Sequence, residues 1–326
     1  MMRSLDIRIE ALFAFCYDVD GTSAVNSSKQ HIVEVKGVWK RFGDSYVVRD
    51  VSFTLEQAQV LGIVGPNGAG KTTTIRMLLD IIHPDRGEVR VFGQPLTQEA
   101  KDRIGYLPEE RGLYRDKRVD DILMYLASLK GMDRRNAAER IGDLLEAVGM
   151  QSVRNGKVKE LSRGMAQLIQ FVAAVLHSPR LVILDEPFSG LDPVNVRLVK
   201  DLIMALRAQG TAFMLSTHQM NQVEELCDRV VMIDRGEVVL DGGIQEVKRG
   251  FGDNTIRVAC AEVPPGLPGV RSVEKKADLW NISLTEGTRP GDVLRSMLEL
   301  DISLDSFEIA LPSLEEIFLR IVESRR

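Results

Sequence analysis

Short apolar runs separated by longer helical patterns fill most of the chain. Ile32-Val33-Glu34-Val35 and residues 47–55 are rich in β-branched side chains and alternate in polarity, so both predict strands. Residues 60–64, 181–184 and 213–216 are nearly continuous apolar runs, the pattern of strands buried on both faces. Helical patterns lie between them, including residues 73–79 and 166–176. This alternation predicts an α/β fold with a mostly parallel sheet between helices.

After residue 250 the pattern changes. Residues 255–259 and 280–284 alternate with period two, with Pro264-Pro265-Gly266 as a break between them. Ser313 and Glu316 have the spacing of a capping box at the start of a last helix, whose apolar stripe is Leu314, Ile317, Phe318 and Ile321. A main domain over residues 31–250 and a small α+β domain over 251–326 are therefore expected. Residues 1–30 show no sustained period and end in a small, polar stretch, which predicts a flexible N-terminal extension.

Composition narrows the function classes. The 326 residues, 44% hydrophobic and 27% charged, suit two globular domains. Forty-two basic against 47 acidic residues leave a net charge of −5, so no global field draws the chain to nucleic acid. Cys16, Cys227 and Cys260 are too few and too scattered for a disulfide framework and read as small core residues in a reducing compartment. No run approaches the ~20 apolar residues that span a bilayer. The apolar piece at residues 11–15 is flanked by acids and lacks the basic start of a secretory signal. A soluble, cytoplasmic protein is expected, one that must dock on another chain if it serves a membrane.

The strongest chemical signal is Gly65-Pro66-Asn67-Gly68-Ala69-Gly70-Lys71-Thr72, followed by Thr73, between a buried strand and a helix. Glycines there let successive backbone N–H groups converge on phosphate oxygens, and the helix N-terminus adds partial positive charge. Lys71 suits the β- and γ-phosphates, and the Thr72 hydroxyl suits Mg²⁺. The spacing does not match the G-x-G-x-x-G of dinucleotide sites. Leu181 to Leu184 lead into Asp185 and Glu186, two acids where a strand emerges: Asp185 for the metal, Glu186 to polarise an attacking water. An acidic pair at a strand end can also serve solvation alone.

Five strings then occur in order: the phosphate loop, Leu161-Ser162-Arg163-Gly164-Met165, Leu184-Asp185-Glu186-Pro187, Ser189-Gly190-Leu191-Asp192-Pro193, and Ser216-Thr217-His218. In this arrangement residues 32–245 resemble the ATP-binding cassette (ABC) ATPases. The resemblance implies a helical subdomain at about 115–178 and a sandwich dimer with ATP and Mg²⁺ between one subunit's phosphate loop and the partner's signature stretch. Ser162, Arg163, Gly164 and Met165, with Asp192, would then meet the partner's ATP, and Asp192 would couple the two sites. His218 would contact the γ-phosphate and hold the water or Glu186. Phe42 stands where the family places its adenine-stacking aromatic, with Trp39 and Tyr46 nearby as alternatives.

Two departures stand out. Arg163 and Met165 replace the glycine and glutamine usual in the signature. Glu109 takes the place of a metal-sensing glutamine, and reads either as an acceptor for metal-bound water or as a solvated loop residue. With Leu107 to Tyr114 and Pro187 to Asn195, these features resemble the subgroup that includes sodium-extruding exporters. That resemblance implies the ATP-hydrolysing subunit of an exporter of sodium or drug-like molecules. It would pair with a like or unlike ABC ATPase subunit and drive a separate multispanning permease from the cytoplasmic face of the cell membrane. The segment after Glu109 and the helices between Val119 and Val148 would carry the motion. The competing reading is a soluble ABC ATPase acting on nucleic acid or the ribosome; a single cassette, no long heptad run and an acidic balance weigh against it.

Overall fold

The computed structural model describes residues 31–110, 112–252, 254–276 and 279–325. The expected N-terminal extension and Cys16 lie outside the described residues. The chain divides into two compact units between Asp241 and Gly242. The division precedes the helix Ile244–Gly250, so this helix belongs to the second unit and not to the expected main domain over residues 31–250.

The first unit opens with β1 (His31–Phe42), β2 (Ser45–Glu56), β3 (Val60–Val64), α1 (Lys71–Leu78) and β4 (Arg86–Val91). The short α2 (Gln98–Asp102) and β5 (Ile104–Leu107) follow, then a helical stretch of α3 (Val119–Leu129), α4 (Arg134–Ala147) and α5 (Arg163–Val175). β6 (Leu181–Asp185), α6 (Pro193–Ala208), β7 (Ala212–Thr217), α7 (Met220–Leu226) and β8 (Arg229–Asp234) follow, and β9 (Glu237–Gly243) runs up to and two residues past the division. The order in the main sheet is β5-β6-β7-β3-β8-β9, and the pairs from β5 through β8 are parallel. Every residue of β3, β6 and β7 is buried, as continuous apolar runs require. β1 and β2 form where alternation predicts them, but in a separate antiparallel layer of order β2-β1-β4. One core joins the two sheets and α1, through Val35, Phe53 and Leu55 on one side and Leu61, Ile63, Ile183 and Met214 on the other. No helix among the described residues is long and apolar enough to cross a membrane.

The second unit contains α8 (Ile244–Gly250), β10 (Thr255–Ala259), β11 (Val270–Lys276), β12 (Leu279–Leu284), α9 (Pro290–Glu299), β13 (Ser306–Ala310) and α10 (Leu314–Ser324). Its antiparallel sheet has the order β11-β12-β10-β13. Ile256, Val258, Ile282 and Leu284, the inward set of the alternating runs, pack with Val293 and Met297 of α9. α10 starts at a capping box: Ser313 Oγ accepts from the Glu316 N–H at 3.2 Å, and Glu316 Oε2 accepts from the Ser313 N–H at 2.8 Å.

At the end of α5, His177 Nε2 donates to the Ile104 carbonyl at 3.1 Å. Burial, with Lys130 nearby, lowers its pKa from 6.5 to about 4. Between those values the unfolded chain binds the proton and the folded chain does not, so acid destabilises the fold. The group contributes its full stability above pH 6.5 and loses it as pH falls toward 4, a change of about 2 kcal/mol between pH 7 and 5. His177→Gln keeps a donor for Ile104 without the titration. Its thermal midpoint should fall less than that of the parent over this interval, and an equal fall in both would remove His177 as the cause.

Candidate active site

β3 runs parallel between β7 and β8 and delivers Gly65 through Gly70 at its carboxyl end, the side on which parallel sheets bind ligands. Gly70 precedes α1 with a φ of +104°, and a Cβ there would stand 2.7 Å from the Val47 carbonyl oxygen. The chain can therefore turn tightly into α1 only with glycine at this position. Within the turn the Ala69 N–H donates to Pro66 O at 3.2 Å, and the Thr74 hydroxyl ties back to Gly70 O at 2.9 Å. Lys71 is 7% exposed, and its ammonium donates to Gly65 O at 2.8 Å and Pro66 O at 3.1 Å. Burial pulls its pKa down, and Glu186, Asp185 and Glu109 push it back.

A cleft of about 220 Å³ is lined by Asn67, Gly68, Gly70, Lys71, Thr72, Thr73, Glu109, Asp185 and Glu186, with Val47 from β2. The cleft thus brings together the phosphate loop, both strand-end acids and Glu109, which enters just after β5. Phe42 stands 51% exposed at the end of β1, with Lys40 Nζ 5.7 Å from its ring centre. Trp39 and Tyr46 pack edge to face at 5.5 Å, and Tyr46 remains 36% exposed.

Asp185 and Glu186 have different surroundings. Asp185 is 1% exposed, and its Oδ1 accepts from the Ser216 hydroxyl. Its Oδ2 is buried without a hydrogen-bond partner among the described residues. Burial raises the pKa of this carboxyl, while the Ser216 and Thr72 hydroxyls pull it the other way. An orphaned carboxylate oxygen close to the Thr72 hydroxyl fits a hard divalent cation with oxygen ligands. Glu186 turns its carboxylate to the end of β7. Oε2 accepts from Thr217 Oγ1 at 3.1 Å, and Oε1 accepts from His218 N at 3.0 Å and from His218 Nδ1 at 2.8 Å. Ser216 and Thr217 as partners of the two acids were not assigned from sequence. The available signal was a pair of hydroxyls directly after a buried apolar run.

The remaining residues gather around α5 and α6. Ser162 is the N-cap of α5, its Oγ accepting from the Met165 N–H at 3.2 Å. Gly164 lies near the Gly190 carbonyl. Arg163, expected at the partner's ATP, directs its guanidinium within its own subunit, to Ser189 Oγ at 3.0 Å. Asp192 caps α6 by accepting from the Val194 and Asn195 N–H groups at 3.0 Å, with Pro193 at the first helical position. Those hydrogen bonds, chiefly that from Asn195, hold its carboxyl below the usual range.

A parallel sheet with a glycine-rich loop, a buried lysine and a strand-end acid pair defines a P-loop ATPase. The ABC transporter family matches residues 48–189, and the C-terminal domain of DrrA1-3-like ATP-binding proteins matches residues 242–322. An uncharacterised ABC transporter ATP-binding protein of Bacillus subtilis, YhaQ, is 39% identical over 294 residues, spanning 89% of this chain and 98% of that protein. The Nod factor export ATP-binding protein I of Rhizobium sp. (strain N33) is 32% identical over 293 residues, covering 89% of this chain and 96% of its own length. A solved ATP-binding subunit of an ABC transporter superposes with a TM-score of 0.64 at 30% identity, over 68% of this chain and 93% of that one. The chain belongs to the ATP-binding subunits of ABC transporters, and its chemistry is ATP hydrolysis coupled to transport.

Proposed function

We propose that this subunit powers an exporter, as a dimer with a like or unlike ABC ATPase subunit beneath a separate multispanning permease on the inner face of the cell membrane. Two relatives named for Nod factor export support the direction, with 36% and 32% identity. Tyr114, Tyr125 and Leu129, large side chains exposed in and before α3, suit docking to a permease.

The observation that carries the hydrolytic reading is the Glu186 carboxylate, held by Thr217 and His218 beside Lys71 in one cleft. In this reading water attacks the γ-phosphorus of ATP, the bond to the β–γ bridging oxygen breaks, and ADP departs with phosphate. Glu186 orients the water and accepts its proton. His218 fixes the rotation of that carboxylate through Nδ1. Lys71, released from Gly65 and Pro66, meets the negative charge of the β- and γ-phosphates. Thr72, Asp185 and Glu109 would hold Mg²⁺. When bound, Mg²⁺ neutralises phosphate charge.

Tagged Glu186→Gln chain, recovered from native membranes in MgATP, should bring down a multispanning membrane protein by mass spectrometry. Recovery of ribosomes or DNA-processing factors without one would sink the transport reading.

A further inference from the structure

We propose that Arg163 is a positioning residue that couples the two nucleotide sites of the dimer. It acts by clamping the signature end of α5 to the segment that carries Glu186. The inference rests on the reading above, in which Ser162 at the start of α5 meets ATP held by the partner.

Glu186 adopts a φ of +51°, the left-handed region, which is uncommon and costly for a residue with a Cβ. Two groups hold this backbone directly, and a third holds the loop just after it. The Glu186 N–H donates to Ser216 O at 2.9 Å. Gln167, on α5 and 7% exposed, donates through Nε2 to Glu186 O at 3.4 Å and to Pro187 O at 3.1 Å. One turn earlier on the same helix face, Arg163 Nη2 donates to Ser189 Oγ at 3.0 Å.

The fit around Arg163 is close. A Cβ at position 190 would lie 2.7 Å from Arg163 Nε, 2.9 Å from Cδ and 3.0 Å from Cγ, so the arginine stem rests directly on the Gly190 backbone. Gly190 itself has a φ of +78°, which glycine adopts without strain. α5 therefore grips residues 186–190 at two points four residues apart, Gln167 at the strained end and Arg163 at the loop. The N-terminus of the same helix, with Ser162 exposed as its cap, faces the other ligand. A displacement of α5 when Ser162 meets the partner's ATP is passed to the carbonyls of Glu186 and Pro187. It thus reaches the carboxylate that serves the subunit's own ATP. A glycine at position 163 has no side chain to reach Ser189, so this second point of the grip exists because the residue is arginine.

The test is the dependence of ATP turnover on ATP concentration in the full-length chain. The parent should show a Hill coefficient of about 1.5 or more, given two coupled sites. Arg163→Gln and Ser189→Ala should each lower it toward 1, and the double variant should fall no further than either, since both break one contact. Arg163→Lys, which keeps a donor for Ser189, should recover part of the loss. A change in kcat or thermal midpoint with the Hill coefficient intact in both single variants overturns the coupling role, as does a non-cooperative parent. Size-exclusion chromatography of Glu186→Gln in MgATP separates the two levels. A monomer there removes the two-site reading itself, whereas a dimer with unchanged Hill coefficients in the Arg163 and Ser189 variants removes only the coupling.

Discussion

Glu186→Gln should lower the turnover number about 10³-fold while ATP binding persists. The substitution preserves shape and much of the local hydrogen bonding. A Gln carbonyl oxygen can still accept from His218 N and Nδ1, and its NH₂ can turn to Thr217 Oγ1, the positions now held by Oε1 and Oε2. The proton acceptor is lost. Removing a positioned general base costs about 10²–10⁴ in rate, or roughly 3–5 kcal/mol of barrier. The phosphate loop and Lys71 are untouched, so binding measured at equilibrium should persist or tighten, because one nearly buried carboxylate no longer faces the triphosphate. Single-turnover kinetics with a binding isotherm checks both halves. A turnover number within tenfold of the parent would show that Glu186 is not the base, and a lost isotherm would make it a binding residue instead.

The architecture was largely legible because its central strands are unbroken apolar runs. Residues 60–64 and 181–184 could be placed on a buried sheet from hydrophobicity alone, and the glycine-rich turn after the first marks its carboxyl end. β4 was not legible, since Arg86–Val91 has a single buried residue and gains its place by pairing with β1. Function followed the same division. Lys71, Asp185 and Glu186 lie beside strand ends that the sequence exposes, and the cleft collects them. The partners that orient them come from elements distant in the chain: Ser216 and Thr217 from β7, and Gln167 from α5. Such crossings depend on strand order, which apolar runs do not encode. Asp192 also carries a local signal, beside the role that the resemblance implies. Asp followed by Pro is the composition of a helix start, and the structure uses it as one.

Lys71→Met should weaken ATP binding by about 100-fold and reduce turnover further. The ammonium is nearly buried among three carboxylates, Glu186, Asp185 and Glu109, each of which favours its charged form. Methionine matches its length and leaves those acids to face a triphosphate without a counter-charge. One hydrogen bond to a charged group contributes roughly 1.5–3 kcal/mol, so losing it alone costs about 10–100-fold, and the uncompensated carboxylates carry the effect to the upper end. Stability of the nucleotide-free chain should change little, because the bonds to Gly65 O and Pro66 O are lost together with the cost of burying the charge. The pH dependence gives an independent check. Burial lowers the Lys71 pKa below 10.5, so the parent's affinity should decline on the alkaline side earlier than an exposed lysine would allow. Lys71→Met should lack that decline. Isothermal titration with ATP between pH 7 and 10 reads both effects. An unchanged affinity at neutral pH, or a variant that keeps the alkaline decline, would move the phosphate contact to another residue of the cleft.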